Sequence, residues 1–144
     1  MGERDLRIRA YATADKEQVT ALWEEVFPND PPRNDPAIVI ERKLGTQREL
    51  FLVGELRDQV AATVIGGYDG HRGWVYHLAV SPDHQRKHIG NEMMTAITKQ
   101  LVALGCPKVN LQVRSTNHEV IAFYKTIGFE VEDRVSMGKH LSEG

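Results

Sequence analysis

Between residues 79 and 94 the sequence reads AVSPDHQRKHIGNEMM, a basic loop set between an apolar run and an amphipathic one. With a strand before the loop and a helix after it, consecutive backbone amides from Arg86 to Gly90 gather at a helix start. Such amides have no helical acceptor and lie at the positive end of the helix dipole, so they can surround a pyrophosphate. Arg86 and Lys87 add positive charge at the same place, and Gly90 permits close approach to the first helical turn. Basic helix starts are also common as plain solvated surface, so the loop needs support from other residues. Asn117 and Tyr124 lie on a later helical pattern, where their ordinary duties are capping and packing. Cys106, the single cysteine, stands at a helix-to-strand turn and reads as a small buried residue outside any internal disulfide.

The elements that must position these residues follow from periodicity. Leu6, Ile8 and Ala10 alternate with Arg7 and Arg9 as a first strand. Thr13 or Asp15 caps a helix whose apolar face is Val19, Leu22, Trp23, Val26 and Phe27. Four prolines between 28 and 36 forbid regular structure, and Asn34 or Asp35 before Pro36 restarts a helix that runs to Gly45. Two strand patterns, 50–56 and 59–68, meet at an Arg57-Asp58 hairpin turn, and a turn at 69–73 leads into a strand at 74–80. Ile89, Met93, Ile97, Leu101 and Leu104 form the stripe of a helix that ends at Gly105, and KVNLQV at 108–113 is a short buried strand. Asn117 opens the last helix, which Gly128 closes, and the tail is predicted to hold strands near 129–132 and 135–141. The order β-α-α-β-β-β-α-β-α-β-β predicts an α+β fold: a mixed, mostly antiparallel central sheet flanked by about four helices.

Composition bounds the function. A chain of 144 residues, 41% hydrophobic and 26% charged, is expected to form one domain over 1–144. A formal net charge of −2 gives no electrostatic reason to expect nucleic acid or an anionic membrane as partner. No apolar run approaches a membrane span and the first residues lack a signal-peptide core, so a cytoplasmic protein is expected.

Val80-Ser81-Pro82, then Gln85, then Gly90 resembles the acyl-CoA-binding motif of the GNAT acetyltransferases, commonly Val-x-Pro-x-x-Arg/Gln-x-x-Gly-x-Gly/Ala. NHEVIAFYKTIGF at 117–129 resembles that family's downstream motif, Asn-x-x-Ala-x-x-Leu/Phe-Tyr-x-x-x-Gly-Phe. The two motifs stand in the family's order with a strand between them. The resemblance implies an acetyl-CoA-dependent N-acetyltransferase with acetyl-CoA as cosubstrate, no metal, and an amine acceptor as the other partner. It implies that the backbone of Leu78, Ala79 and Val80 pairs with the pantetheine arm, and that residues 86–91 (Arg86, Lys87, His88, Ile89, Gly90 and Asn91) hold the pyrophosphate. Asn117 matches the position that holds a pantetheine amide. Tyr124 matches the tyrosine beside the thioester sulfur, where a phenol assists thiolate departure. One position departs from the motif: His88 stands where glycine is usual. It is expected to keep ordinary helical dihedrals and point to solvent, the alternative being donation to a phosphate.

The base is open. Gln112 matches a position held by glutamate in bacterial ribosomal-protein N-terminal acetyltransferases, and glutamine cannot remove a proton. His77, Glu41 and a water wire are alternatives. Neutralising a lysine amine at pH 7 costs ~4.6 kcal/mol, but an α-amine only ~1 kcal/mol. A missing carboxylate therefore favours small-molecule or peptide α-amines. A catalytically silent acyl-CoA sensor is the alternative from another class, and edge strands at the tail suggest a homodimer.

Overall fold

The computed structural model describes residues 6–29, 31–85 and 88–141, with the backbone alone at Arg33. It divides into two compact units, Met1–Leu111 and Gln112–Gly144. The first holds a five-stranded sheet in the order β1 (Arg7–Ala10), β2 (Phe51–Leu56), β3 (Gln59–Tyr68), β4 (Gly73–Val80) and β5 (Val109–Asn110). The first four strands are antiparallel neighbours, whereas β5 lies parallel to β4. Arg57 and Asp58, both at positive φ (52° and 65°), close the β2–β3 hairpin in the conformation whose twist matches paired strands.

Helices α1 (Lys16–Val26) and α2 (Pro36–Leu44) belong to one face of the sheet. Their core there joins Val19, Leu22, Trp23 and Ile40 to Tyr11, Phe51, Val53, Ile65 and Ala79. Phe51 is stacked between Tyr11, at 4.4 Å between ring centroids, and Trp23, at 5.8 Å. The predicted stripe of α1 is the buried one, because residues three and four apart share a helix face. Helix α3 (Ile89–Ala103) covers the other face with Ile89, Met93, Met94, Ile97 and Leu101 all buried. Two glycines let it come close. A Cβ on Gly66 would stand 2.8 Å from Ile97, and one on Gly54 would stand 2.9 Å from the Met93 sulfur.

Asp15 is not the side-chain cap of α1 that the sequence suggests. Its carboxylate, in a single turn of 3₁₀ helix before α1, accepts from the Ala12 amide and takes both guanidinium arms of Arg9, each at 2.8 Å. The second Arg9 nitrogen also reaches Glu55 on β2 at 2.8 Å. This network ties the entry of α1 to the edge strand β1 and its neighbour β2, and the Arg9 hydrogen bonds hold the Asp15 carboxyl below the usual carboxylate range.

The second unit contains α4 (His118–Thr126), closed by Gly128 at φ 102°. The fold class is as predicted, but the C-terminal strands are not found: residues 129–141 form no strand. Val131, Val135, Met137 and Leu141 are 75–93% exposed, so the apolar residues that suggested strands bury nothing in the described chain. The edge on which the homodimer expectation rested is therefore absent from the described tail. Strand β5 is also shorter than 108–113. No helix among the described residues is long and apolar enough to cross a membrane.

Replacing Asp15 by Ala should cost about 1.5–3 kcal/mol, the range for hydrogen bonds to charged groups. Because its folded pKa is lowered, the stability Asp15 contributes is present above its unfolded value of ~3.9 and lost as pH falls through the folded one. Urea unfolding of both proteins should therefore show a constant gap from neutral pH to about 4 that closes below it.

Candidate active site

Strand β4 is where the sheet becomes irregular. Thr63 pairs with Ala79 and Ile65 with Tyr76, so His77 and Leu78 together face the single residue Val64. This is a β-bulge, and His77 carries its strain at φ 50°. Trp23 Nε1 donates to Thr63 Oγ1 at 2.9 Å, and the same hydroxyl donates to the His77 carbonyl at 2.9 Å. Thr63 is fully buried, so its two bonds are what make a hydroxyl tolerable in that core. The His77 ring lies 4.7 Å from the Trp23 ring and 5.4 Å, edge-on, from Phe27.

Beyond the bulge β4 runs free on one side. Its pairing with β5 covers only Gly73–Val109 and Trp74–Asn110. Among the described residues, Leu78, Ala79 and Val80 therefore have a strand partner only in β3, which leaves a backbone edge that an extended ligand can use. Ser81 N–H donates to Ala61 at 2.8 Å and turns the chain out of the sheet. A 3₁₀ turn at Pro82–His84 follows, and the Gln85 amide donates to the Val80 carbonyl at 3.2 Å.

That loop delivers the chain to the start of α3. The Glu92 amide bonds the His88 carbonyl at 3.1 Å, so the amides of Ile89, Gly90 and Asn91 precede the first helical bond. No side chain of residue 88 caps them. Three amides at the positive end of a 15-residue helix, without a side-chain cap among the described residues, suit an anion. Arg86 and Lys87, expected in the same nest, lie outside the described residues. His88 corrects one expectation: it is exposed, as predicted, but its backbone is left-handed, at φ 63° and ψ 16°. Glycine adopts that left-handed backbone without a Cβ penalty, which is the reason it suits the position.

In the second unit, Asn117 Oδ1 accepts from the Val120 amide at 3.3 Å, which makes it the N-cap of α4 and leaves its NH₂ group to donate elsewhere. Tyr124 is buried, with its ring edge-on to Phe123 at 5.0 Å and to Phe129 at 5.5 Å. Burial pushes its phenol up to about 12, so it stays a proton donor throughout the physiological range. The Gln112 amide donates to Ser136 Oγ at 2.6 Å.

On the α1–α2 face, Trp23 and Glu24 of α1, Phe27 just past its end, Asp35 and Pro36 at the start of α2, and His77 line a cavity of about 250 Å³. The sequence had named Trp23 and Phe27 only as core and His77 only as one candidate base. Nothing in periodicity could join them, because the bulge that aims His77 at α1 is a property of the β3–β4 pairing. Glu41, the other candidate base, is exposed on α2 and does not line this cavity. Among the described residues no group of three His, Cys, Asp or Glu side chains is placed to hold a metal ion.

Residues 16–129, most of the chain, match the model of the acetyltransferase (GNAT) family. The chain belongs to that family. An acetyltransferase of Yersinia enterocolitica is 42% identical over 94% of this chain and 96% of its own length. One of Sodalis glossinidius is 43% identical over 96% and 97%. Among solved structures, Ard1 from Thermoplasma volcanium superposes with a TM-score of 0.79 at 23% identity, covering 88% of this chain and 84% of its own. An aminoglycoside N-acetyltransferase, AAC(6')-Iy in complex with CoA, superposes with a TM-score of 0.77 at 14% identity, covering 95% of each chain. These two share the GNAT fold. The enzyme described here is thus an acetyltransferase by family.

A left-handed backbone costs a non-glycine residue roughly 1–2 kcal/mol. His88→Gly should therefore stabilise this enzyme by about 0.5–1 kcal/mol once glycine's extra chain entropy is deducted. Chemical denaturation of both proteins measures it, and a loss of stability would mean that the imidazole makes a contact worth more than the strain.

Proposed function

We propose that the enzyme transfers the acetyl group of acetyl-CoA to a primary amine, either a small molecule or the α-amine of a peptide, by direct attack. One observation carries the reading: a β4 edge that is open among the described residues is followed in the chain by the start of α3, where no described side chain caps the first amides. CoA has the two matching parts, an arm rich in amides and a pyrophosphate. In this reading the backbone of Leu78, Ala79 and Val80 pairs with the arm and polarises the thioester carbonyl. The amides of His88, Ile89, Gly90 and Asn91 hold the pyrophosphate, with Arg86 and Lys87 supplying charge. The donors that Asn117 keeps after capping α4 bond an amide of the arm. The family match runs from residue 16 to residue 129, across both compact units, which supports treating the chain as one catalytic domain.

The chemistry follows from the thioester. A neutral amine attacks the carbonyl carbon, negative charge collects on the oxygen, and collapse breaks the C–S bond. The departing thiolate, with a pKa near that of cysteine at ~8.5, gains from a phenol that donates a proton or hydrogen bond. Tyr124 fills that role here, and its raised pKa keeps the proton in place until it is needed.

Acetyl-CoA should raise the melting temperature, while pantetheine, which lacks the pyrophosphate, should do so much less. Equal shifts would remove residues 86–91 from the phosphate site. His88→Gly should bind acetyl-CoA at least as well as wild type, read by calorimetric titration.

Thiol release over a panel of amines tests the transfer itself. Tyr124→Phe should lower turnover by roughly 10²–10⁴ with little change in acetyl-CoA affinity. Ionisation of this phenol should produce no loss of rate until the pH approaches about 12. Unaltered turnover in the Phe variant would return Tyr124 to a packing role.

A further inference from the structure

We propose that His77 is the general base of this enzyme and that the amine-bearing end of the acceptor enters the cavity between α1, the start of α2 and the β4 bulge. The inference rests on the acetyl-transfer reading above and names the residue which that reading leaves open. The bulge and the cavity that support it are independent of the motifs.

A histidine in the middle of a strand at φ 50° is a costly arrangement that packing alone does not require. The surrounding structure enforces it. The buried Thr63 hydroxyl holds the His77 carbonyl, and Trp23 fixes that hydroxyl. Trp23 and Phe27 then set the imidazole plane from two sides. The result is a titratable ring held at the wall of a cavity of about 250 Å³, room for the end of a small amine. Strained residues gather at functional sites because the strain aims a group that a relaxed chain would point elsewhere.

The position suits the reaction. His77 immediately precedes Leu78, Ala79 and Val80, the backbone assigned to the thioester arm, so base and electrophile are carried by consecutive residues of one strand. Glu24 and Asp35 also line the cavity and favour the approach of a cationic amine by their charge; the amine gives one proton to water before it attacks. Once the neutral amine attacks, the new C–N bond leaves a positive nitrogen. His77 takes that N–H proton, the C–S bonding pair leaves with sulfur, and the thiolate is protonated in turn. Amine and acetyl-CoA become amide and free CoA thiol, and the imidazolium returns its proton to water.

Two variants test this. His77→Gly suits the left-handed backbone and leaves a ring-sized gap, whereas His77→Asn tolerates the same backbone and fills the gap without a base. Both should fold, both should lose about 10²–10⁴-fold in kcat, and both should bind acetyl-CoA as wild type does. Added imidazole should restore turnover to the Gly variant and not to the Asn variant. Wild-type kcat in either variant, a rise in KM alone, or a folded Gly variant that imidazole does not rescue would each overturn the assignment. The wild-type control separates the two levels. Failure of wild type to acetylate any amine of the panel would defeat the acceptor reading and this inference with it, whereas full turnover in both variants defeats the role of His77 alone.

Discussion

One extra residue in β4 governs the architecture around the candidate site. Where β3 offers Val64 alone, β4 inserts both His77 and Leu78, and the ladder absorbs the mismatch by bending. The bend turns the His77 ring toward α1, and among the described residues the end of β4 pairs with β3 alone. A bulge of this kind is stable only if its irregular backbone groups find partners. The hydroxyl of Thr63, inside the core and anchored by the Trp23 indole, supplies one at the His77 carbonyl.

The two faces of the sheet then divide the work. On one, the stacked Tyr11, Phe51 and Trp23 rings build a wall that continues into the cavity beside His77. On the other, α3 lies close over Gly54 and Gly66 and brings its N-terminus to the end of the loop that leaves β4. A side chain at either glycine would meet Met93 or Ile97, so the packing of α3 on the sheet depends on the small residue beneath it.

The Arg9–Asp15–Glu55 network acts at the far edge of the same sheet and serves stability rather than chemistry. It fixes where α1 begins, and so where Trp23, two turns later, meets Thr63. Charge is used there because three elements converge on a half-buried corner. A guanidinium can satisfy two carboxylates at once in such a place, where a hydrophobic contact would leave the Ala12 amide unpaired.

Local chemistry was legible in the sequence wherever it depends on neighbours along the chain. Helix faces, the Arg57-Asp58 turn, the glycine that ends α4, the capping oxygen of Asn117 and the helix that follows the 79–94 loop all follow from spacing and residue type. The family motif added the assignment of Leu78–Val80 and Tyr124, which composition could never give. Other features required the folded chain. The tail apolar residues read as strands because alternation is the only clue a sequence offers, but a strand also needs an edge to pair with and a core to face. His88 was expected to be helical because nothing in its residue type announces a positive φ; its left-handed backbone is seen only in the folded chain. His77 shows the division most clearly. Its identity was visible from the start, but its strained backbone, its place between Trp23 and Phe27 and its cavity come from the register between β3 and β4, and register is set by the whole sheet.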